Sequence, residues 1–242
     1  MKISHIYQLL DELAPFETQE AWDNSGLLVG SMQSEFDSVV VAVDLDTKMV
    51  QNAALKTLFI THHPLIFKGL KQLDFSRYPS SILHGLCAKE CSLIALHTNA
   101  DLAFLNKFVL SEVLGVKNFT QNGFLLEWEL EKPRNFDDFA REVKSNLNLT
   151  TLRAVKANEE VHKIAFCTGS GADLLNFTEA DCFLTGDLRY HTAVEARENG
   201  VSLIDITHYS SEVHFAKFLV NFLQKNSILA IIGDFADPFR FY

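Results

Sequence analysis

Two histidines stand side by side in Thr61-His62-His63-Pro64, at the end of the apolar stretch Leu58-Phe59-Ile60. A run that short and apolar reads as a buried strand, and Pro64 keeps the chain from continuing in it. Imidazoles at such a strand end pack poorly and make good metal ligands. Neighbours in a regular strand point to opposite faces, so a pair at a turn serves two different ions more readily than one. His208 and Glu212 stand at i and i+4 and share a face if residues 207–211 enter a helix. Asp101 follows another apolar run, residues 92–96. Imidazole and carboxylate ligands suit zinc, iron, manganese or a similar divalent ion, with positions left for water. Two ions need a bridging carboxylate, for which Asp101 and Glu212 are the natural candidates. Each feature has a plainer counterpart: a buried His is commonly a hydrogen-bonded core residue, and an Asp after a strand is commonly a helix cap. What favours a metal site is that all five residues fall at strand ends of one α/β pattern, where open sheets place their sites.

The elements that must position these residues follow from hydrophobic periodicity. Residues 4–13 read as an amphipathic helix stopped by Pro15, and Trp22-Asp23-Asn24-Ser25-Gly26 as a turn-rich loop that is either a lid or a packing corner. Val39-Val40-Val41-Ala42-Val43 is a strand covered on both faces, followed by Asp44 and Asp46 and a helix over 47–55. After the histidine pair come a helix over 80–91, the strand leading to His97-Thr98-Asn99-Ala100-Asp101, and a helix over 104–114 capped by Gly115. Residues 124–130 read as a more exposed strand, Pro133-Arg134-Asn135 as a turn, 136–147 as a helix and 150–155 as a further strand. Strand–helix alternation then resumes: 163–167 into Thr168-Gly169-Ser170-Gly171, 182–184 into Thr185-Gly186-Asp187 and His191, and 201–206 into His208 and Glu212. A helix over 212–224 and a strand over 229–232 complete the chain.

The halves read as versions of one unit, with Ala42 and Phe166 in equivalent strands, Phe59 matching Phe183, Thr61 matching Thr185, and Leu93-Ile94 matching Leu203-Ile204. The expected fold is therefore α/β: two related units with layered helices around mostly parallel sheets, and the metal site in the cleft at the strand C-terminal ends. The expected domains are 1–125, carrying His62, His63 and Asp101, and 126–242, carrying His208 and Glu212. The C-terminal segment is able to pack back on the first. Asp187 takes the place of His63 in the second unit, so it is expected to point into the same cleft.

With 242 residues, 48% of them hydrophobic, the chain has ample material for a core. A net charge of -10 argues against binding nucleic acid through a broad basic surface, though a metal can invert the field locally for an anionic substrate. No stretch reaches the roughly 18 apolar residues of a membrane span, and the N-terminus opens an amphipathic helix instead of a signal peptide, so a cytoplasmic location is expected. Cys87, Cys91, Cys167 and Cys182 form no disulfide framework and are all expected as buried free thiols. The glycine turn at Gly169 and Gly171 is a candidate phosphate-binding turn, but it lacks the lysine of a Walker sequence.

Taken together, Trp22-Asp23-Asn24-Ser25-Gly26-Leu27, Thr61-His62-His63-Pro64-Leu65-Ile66-Phe67, His97-Thr98-Asn99-Ala100-Asp101, Thr185-Gly186-Asp187 with His191, and His208-Tyr209-Ser210-Ser211-Glu212 resemble the Nif-three-like dinuclear metal proteins, many of them named GTP cyclohydrolase I type 2. The resemblance spans nearly the whole chain and is to the short form, with no domain inserted between the halves. It implies that His62, His63, Asp101, His208 and Glu212 are the ligands of two divalent ions per subunit, with Asp101 and Glu212 shared. It also implies a toroidal homohexamer with metal sites facing an inner cavity. The chain departs from the family pattern at Thr168-Gly169-Ser170-Gly171-Ala172, at Asp237-Pro238-Phe239, where Asn is expected before the Pro, and at Asp44-Leu45-Asp46-Thr47, which carries one acid more. None of these touches the ligand set.

The activity implied is that of a GTP cyclohydrolase I, which converts GTP and water to formate and 7,8-dihydroneopterin triphosphate. His97 and His191 are the candidate acid/base residues; His97 serves equally as a hydrogen-bonded partner of the ligands. The same ligands would serve a metal-dependent regulatory or carrier protein, or a dinuclear phosphohydrolase acting on nucleotides.

Overall fold

The apolar runs assemble into two sheets in the computed structural model, which describes residues 1–240. In chain order the elements are α1 (Ile3–Leu13), β1 (Gly26–Val29), β2 (Ser38–Ala42), α2 (Thr47–Asn52), β3 (Thr57–Thr61), α3 (Ser80–Ala88) and β4 (Ser92–Ala95). The helical residues that follow change their winding: α4 (Thr98–Ala100) and α5 (Asn106–Phe108) are each succeeded by a π-wound stretch, Asp101–Leu105 and Val109–Val113. Then come β5 (Thr120–Asn122), β6 (Leu125–Asn135), α6 (Phe136–Asn146), β7 (Arg153–Val155), β8 (Glu160–Phe166), β9 (Cys182–Thr185), α7 (Tyr190–Glu198), β10 (Ser202–Asp205), α8 (His208–Glu212), α9 (His214–Lys225) and β11 (Ile231–Ile232).

These elements make two compact units, and the division is not at a single point in the chain. The first holds Met1–Phe104 and Phe215–Ala236, the second Leu105–His214 together with residues 237–240. The first unit's sheet has the order β1-β4-β3-β2-β11, with the β4-β3-β2-β11 pairings parallel and β1 antiparallel at one edge. β3 and β4 are buried at every position, as expected of central parallel strands covered on both faces. Phe59, Leu86 and Leu93 lie at the centre of its core. The second unit's sheet has the order β5-β6-β8-β9-β10-β7; β8-β9-β10 are parallel and the outer strands antiparallel. Phe183, Leu203 and Ala165 lie in its core.

The parallel triplets match residue for residue. Val40 pairs with Phe59 and Phe59 with Leu93 in the first sheet; Ala165 pairs with Phe183 and Phe183 with Leu203 in the second. Thr61 and Thr185 then end the middle strands in equivalent places, so Gly186-Asp187 stands where the first unit has His62-His63.

Two local expectations fail for identifiable reasons. Pro133-Arg134-Asn135 does not turn: β6 continues to Asn135 across a register shift between Glu129 and Arg134. A proline, with no N–H to give the ladder, is tolerated in such an irregularity. Asn135 instead caps α6, its side chain accepting from the Asp137 and Asp138 amides at 3.0 and 3.3 Å. The four cysteines are indeed free, but only Cys91, Cys167 and Cys182 are buried; Cys87 is exposed. On α3 the buried face is carried by Ile82, Leu83 and Leu86, which turns Cys87 outward. Among the described residues no helix is long and apolar enough to cross a membrane.

Burial pushes the Cys182 thiol well above the ordinary thiol range, with Asp181 adding to the effect. Brief treatment of the native protein with iodoacetamide is therefore expected to alkylate Cys87 first and to leave Cys182 unmodified until denaturant is added. Peptide mass spectrometry reads this, and labelling of native Cys182 at the rate of Cys87 would contradict the packing described.

Candidate metal centre

The backbone holds the histidine pair before any side chain does. Past the end of β3, the His62 and His63 amides donate to the Ala42 and Val43 carbonyls at 3.2 and 3.0 Å, so the pair stays tethered to the end of β2. Thr61 Oγ1 closes the turn by donating to the His63 carbonyl at 2.8 Å. His62 is fully buried beneath Phe215 of α9, with ring centroids 5.1 Å apart.

In the first unit three imidazoles meet. Ring nitrogens of His62, His63 and His97 lie within 4.8 Å of one another, close enough to hold an ion. Each ring has its Nδ1 against an oxygen that can only accept. His62 Nδ1 lies 2.9 Å from the Leu96 carbonyl, His63 Nδ1 3.0 Å from Asp44 Oδ2, and His97 Nδ1 2.7 Å from Asp23 Oδ1. Nδ1 is therefore the donor in all three, and Nε2 is the nitrogen turned the other way. His62 Nε2 lies 3.5 Å from Asp101 Oδ1. Asp101 begins the π-wound stretch that follows α4, a local widening often found at functional positions.

Asp23 is the hub of this half. Its fully buried carboxylate accepts from His97 Nδ1, from the Thr98 amide at 3.0 Å, from Thr98 Oγ1, and from Ser25 Oγ at 3.2 Å. Burial alone would push the carboxyl up; the hydrogen bonds from His97 and Thr98 outweigh it and hold Asp23 well below the usual carboxylate range. The loop that reads in sequence as a lid or a packing corner is thus the anchor of His97.

In the second unit, His208 opens α8 and Glu212 closes it, so the i, i+4 spacing does put both on one face. His208 Nδ1 lies 2.7 Å from Asp187 Oδ2, and its Nε2 lies 3.0 Å from Glu212 Oε2. Asp187 thus acts as the buttress of His208. Thr207 just before it has φ 58° and ψ 148°, a conformation that costs a β-branched residue about 1–3 kcal/mol. It is held by Asp205 Oδ1, which accepts its amide at 3.1 Å, and by its own Oγ1 capping Ser210 at 3.2 Å. Arg153 completes the frame, pairing with Asp205 and donating to the Leu188 carbonyl at 2.7 Å. Asp205 and Arg153 are absent from the sequence reading; the signal for the first is an acid inside the apolar run Leu203-Ile204-Asp205-Ile206.

The glycine turn has a different use from phosphate binding. The Gly169 and Gly171 amides are already given to Ser211 Oγ and Thr185 Oγ1, at 2.9 and 2.8 Å. What the glycines supply is room: a Cβ on Gly169 would stand 2.2 Å from Glu212 Oε1, and one on Gly186 would stand 2.7 Å from the His208 amide. His191 lies exposed at the start of α7 with its ring beside Tyr190.

The donor set fits divalent ions. An imidazole lone pair and a carboxylate repel one another unless a cation lies between them. Two ligands held about 2.0–2.1 Å from one ion stand roughly 3 to 3.4 Å apart, the order of the His208–Glu212 separation. The oxygen acceptor on each opposite ring nitrogen is the arrangement that orients metal-binding histidines. Clusters of histidine and carboxylate able to hold metal ions are thus present.

Two substitutions probe this construction. Gly169→Ala is expected to displace the Glu212 carboxylate, lowering bound metal and melting temperature together. Gly123→Ala meets open space at a comparable φ of 59°, so it should cost only the backbone penalty of about 1–2 kcal/mol and leave metal content unchanged. Asp23→Ala is expected to lower stability by at least about 1–3 kcal/mol, the cost of leaving one buried donor unsatisfied, as measured by denaturant unfolding.

The Duf34/NIF3 (NGG1p interacting factor 3) family model matches residues 1–233. The chain is 42% identical over 243 residues to a Campylobacter jejuni protein named GTP cyclohydrolase 1 type 2 homolog, with all of each chain covered. It is 40% identical over 239 residues to a Helicobacter pylori protein named GTP cyclohydrolase 1 type 2, covering 98% of each. Among solved structures, a hypothetical protein of Staphylococcus aureus superposes with a TM-score of 0.88 at 30% identity, covering 100% of this chain and 99% of that one. Reduced HcgD from Methanocaldococcus jannaschii superposes with a TM-score of 0.83 at 27% identity, covering 97% and 98%. With a family model spanning nearly its whole length and relatives matched end to end, the chain belongs to the Duf34/NIF3 family.

Proposed function

We propose that the protein is a divalent-metal-dependent hydrolase of the GTP cyclohydrolase I type, with His62, His63, Asp101, His208 and Glu212 as the ligands of two ions. The observation that supports this reading is the shared arrangement of the imidazoles: the Nδ1 of His62, His63 and His208 each lies against an oxygen acceptor, the arrangement that orients metal-binding histidines. The names of the Campylobacter and Helicobacter relatives supply the reaction class. Divalent ions bound there would lower the pKa of water to about 7, supplying a nucleophile at neutral pH, and would offset the net charge of -10 that otherwise repels a triphosphate.

The chain's own residues handle the protons. Opening the guanine ring at C8 and releasing formate requires a proton to be taken from water and one to be given to a departing ring nitrogen. His97 suits this exchange better than His191, because Asp23 fixes its tautomer and its ring lies 5.2 and 5.5 Å from those of His62 and His63. With Nδ1 held, proton exchange is confined to Nε2. The homohexamer implied by family resemblance is part of the same reading.

Metal-loaded protein incubated with GTP is expected to release formate in step with a dihydroneopterin fluorophore. His63→Ala and Asp101→Ala should abolish that release while keeping the fold by circular dichroism, and Asp23→Asn should reduce it about 10–100-fold. Phosphate release without formate would make the protein a nucleotide phosphohydrolase. No turnover, with subunit assembly lost on chelation, would make the ions structural or cargo.

A further inference from the structure

Among the aromatic rings left outside the cores, Trp22 and Phe67 are 57% and 41% exposed. They stand on different loops, yet their ring centroids are 5.8 Å apart, and each lies 6.1 Å from the His97 ring, edge-on at 75° and 78°. His97 in turn touches the rings of His62 and His63. The exposed pair is therefore one ring removed from the imidazoles proposed to hold metal.

The loops that carry the pair are fixed. Asn24 Nδ2 donates to the Ile66 carbonyl at 2.5 Å, joining the Trp22 loop to the Phe67 loop. On the other side of Trp22, the Glu20 amide donates to Thr98 Oγ1 at 3.0 Å, and the Asp23 amide to the Glu20 carbonyl at 2.9 Å. Solvent exposure of two large rings on braced backbone forgoes burial that each would otherwise gain, and such patches mark binding sites. The chemistry beside them narrows the ligand. A ring to be opened at the metal-facing imidazoles must lie flat near them, and a planar heterocycle offers the π-face that aromatic side chains stack.

We infer that Trp22 and Phe67 form a stacking platform for the nucleobase of a purine nucleotide, holding the base, and not its phosphates, beside His97. This deepens the proposed function and rests on it for the identity of the base as guanine.

The chain contains only one other tryptophan, the buried Trp128, so exposed-indole emission reports on Trp22. Metal-loaded protein titrated with GTP and with guanosine should show saturable quenching of the acrylamide-accessible emission, whereas tripolyphosphate should leave it unchanged. By equilibrium dialysis, Trp22→Leu and Phe67→Leu should weaken GTP binding about tenfold or more, and Trp22→Phe and Phe67→Tyr should restore most of it. Metal content should stay at the wild-type level in all four. Unchanged emission with guanosine, equal GTP affinity in Trp22→Leu, or a wild-type Trp22 already shielded from acrylamide would each overturn the platform. Quenching by guanosine without formate release would refute the cyclohydrolase reading and keep the platform; formate release without quenching would do the reverse.

Discussion

An imidazole has two nitrogens, and it can present a lone pair to a cation from one only if the proton on the other has somewhere to go. The arrangement around His62, His63, His97 and His208 answers that requirement four times, with a backbone carbonyl once and a carboxylate three times. The parallel sheet explains where the acceptors come from. In the order β4-β3-β2, the histidine pair leaves the middle strand, so residues past the ends of both neighbours flank it. Leu96, past β4, gives its carbonyl to His62; Asp44, past β2, gives its carboxylate to His63. In the second unit the pairing of β9 with β10 sets Asp187 beside His208 in the same way. Chain topology thus does for these rings what a dedicated second layer of residues does elsewhere.

Room is the second constraint. The approach of Gly169 to Glu212 and of Gly186 to the His208 backbone is closer than any side chain permits. Thr207 and Asp187 both hold positive φ without being glycine. Asp tolerates this locally, but Thr does not, and Asp205 and the cap of α8 supply what holds it there. Backbone departures of this kind persist where surrounding structure over-determines them, and here they converge on the single histidine that α8 contributes.

Much of the fold was legible because strand burial is written as short apolar runs, and the two middle strands repeat Phe and Thr at matching places. The ends of elements were less legible: α2 stops at Asn52, three residues short of the expectation, and the helix expected over 104–114 changes winding twice. Propensity has no term for either. Of the site, the potential ligands were readable as residue types at strand ends, and His97 with them. The buttresses were not, because Asp23 to His97 and Asp205 to Arg153 are contacts between residues far apart in the chain, and an isolated Asp in a loop looks like any cap or turn residue. The acid at Asp44 is an oddity of the sequence; only the register of β2 with β3 gives it a partner.

That register also separates two kinds of carboxylate that composition cannot tell apart. Asp23, Asp44 and Asp187 face an Nδ1 that carries a proton, so each makes an ordinary charge-assisted hydrogen bond and is satisfied by the protein alone. Asp101 and Glu212 face an Nε2 whose partner nitrogen has already taken the ring's proton. On these rings Nε2 is the atom that a metal-binding histidine offers, and it is there that the carboxylate stands. The first kind of carboxylate orients the rings; the second joins them in the clusters of histidine and carboxylate that could hold a metal ion.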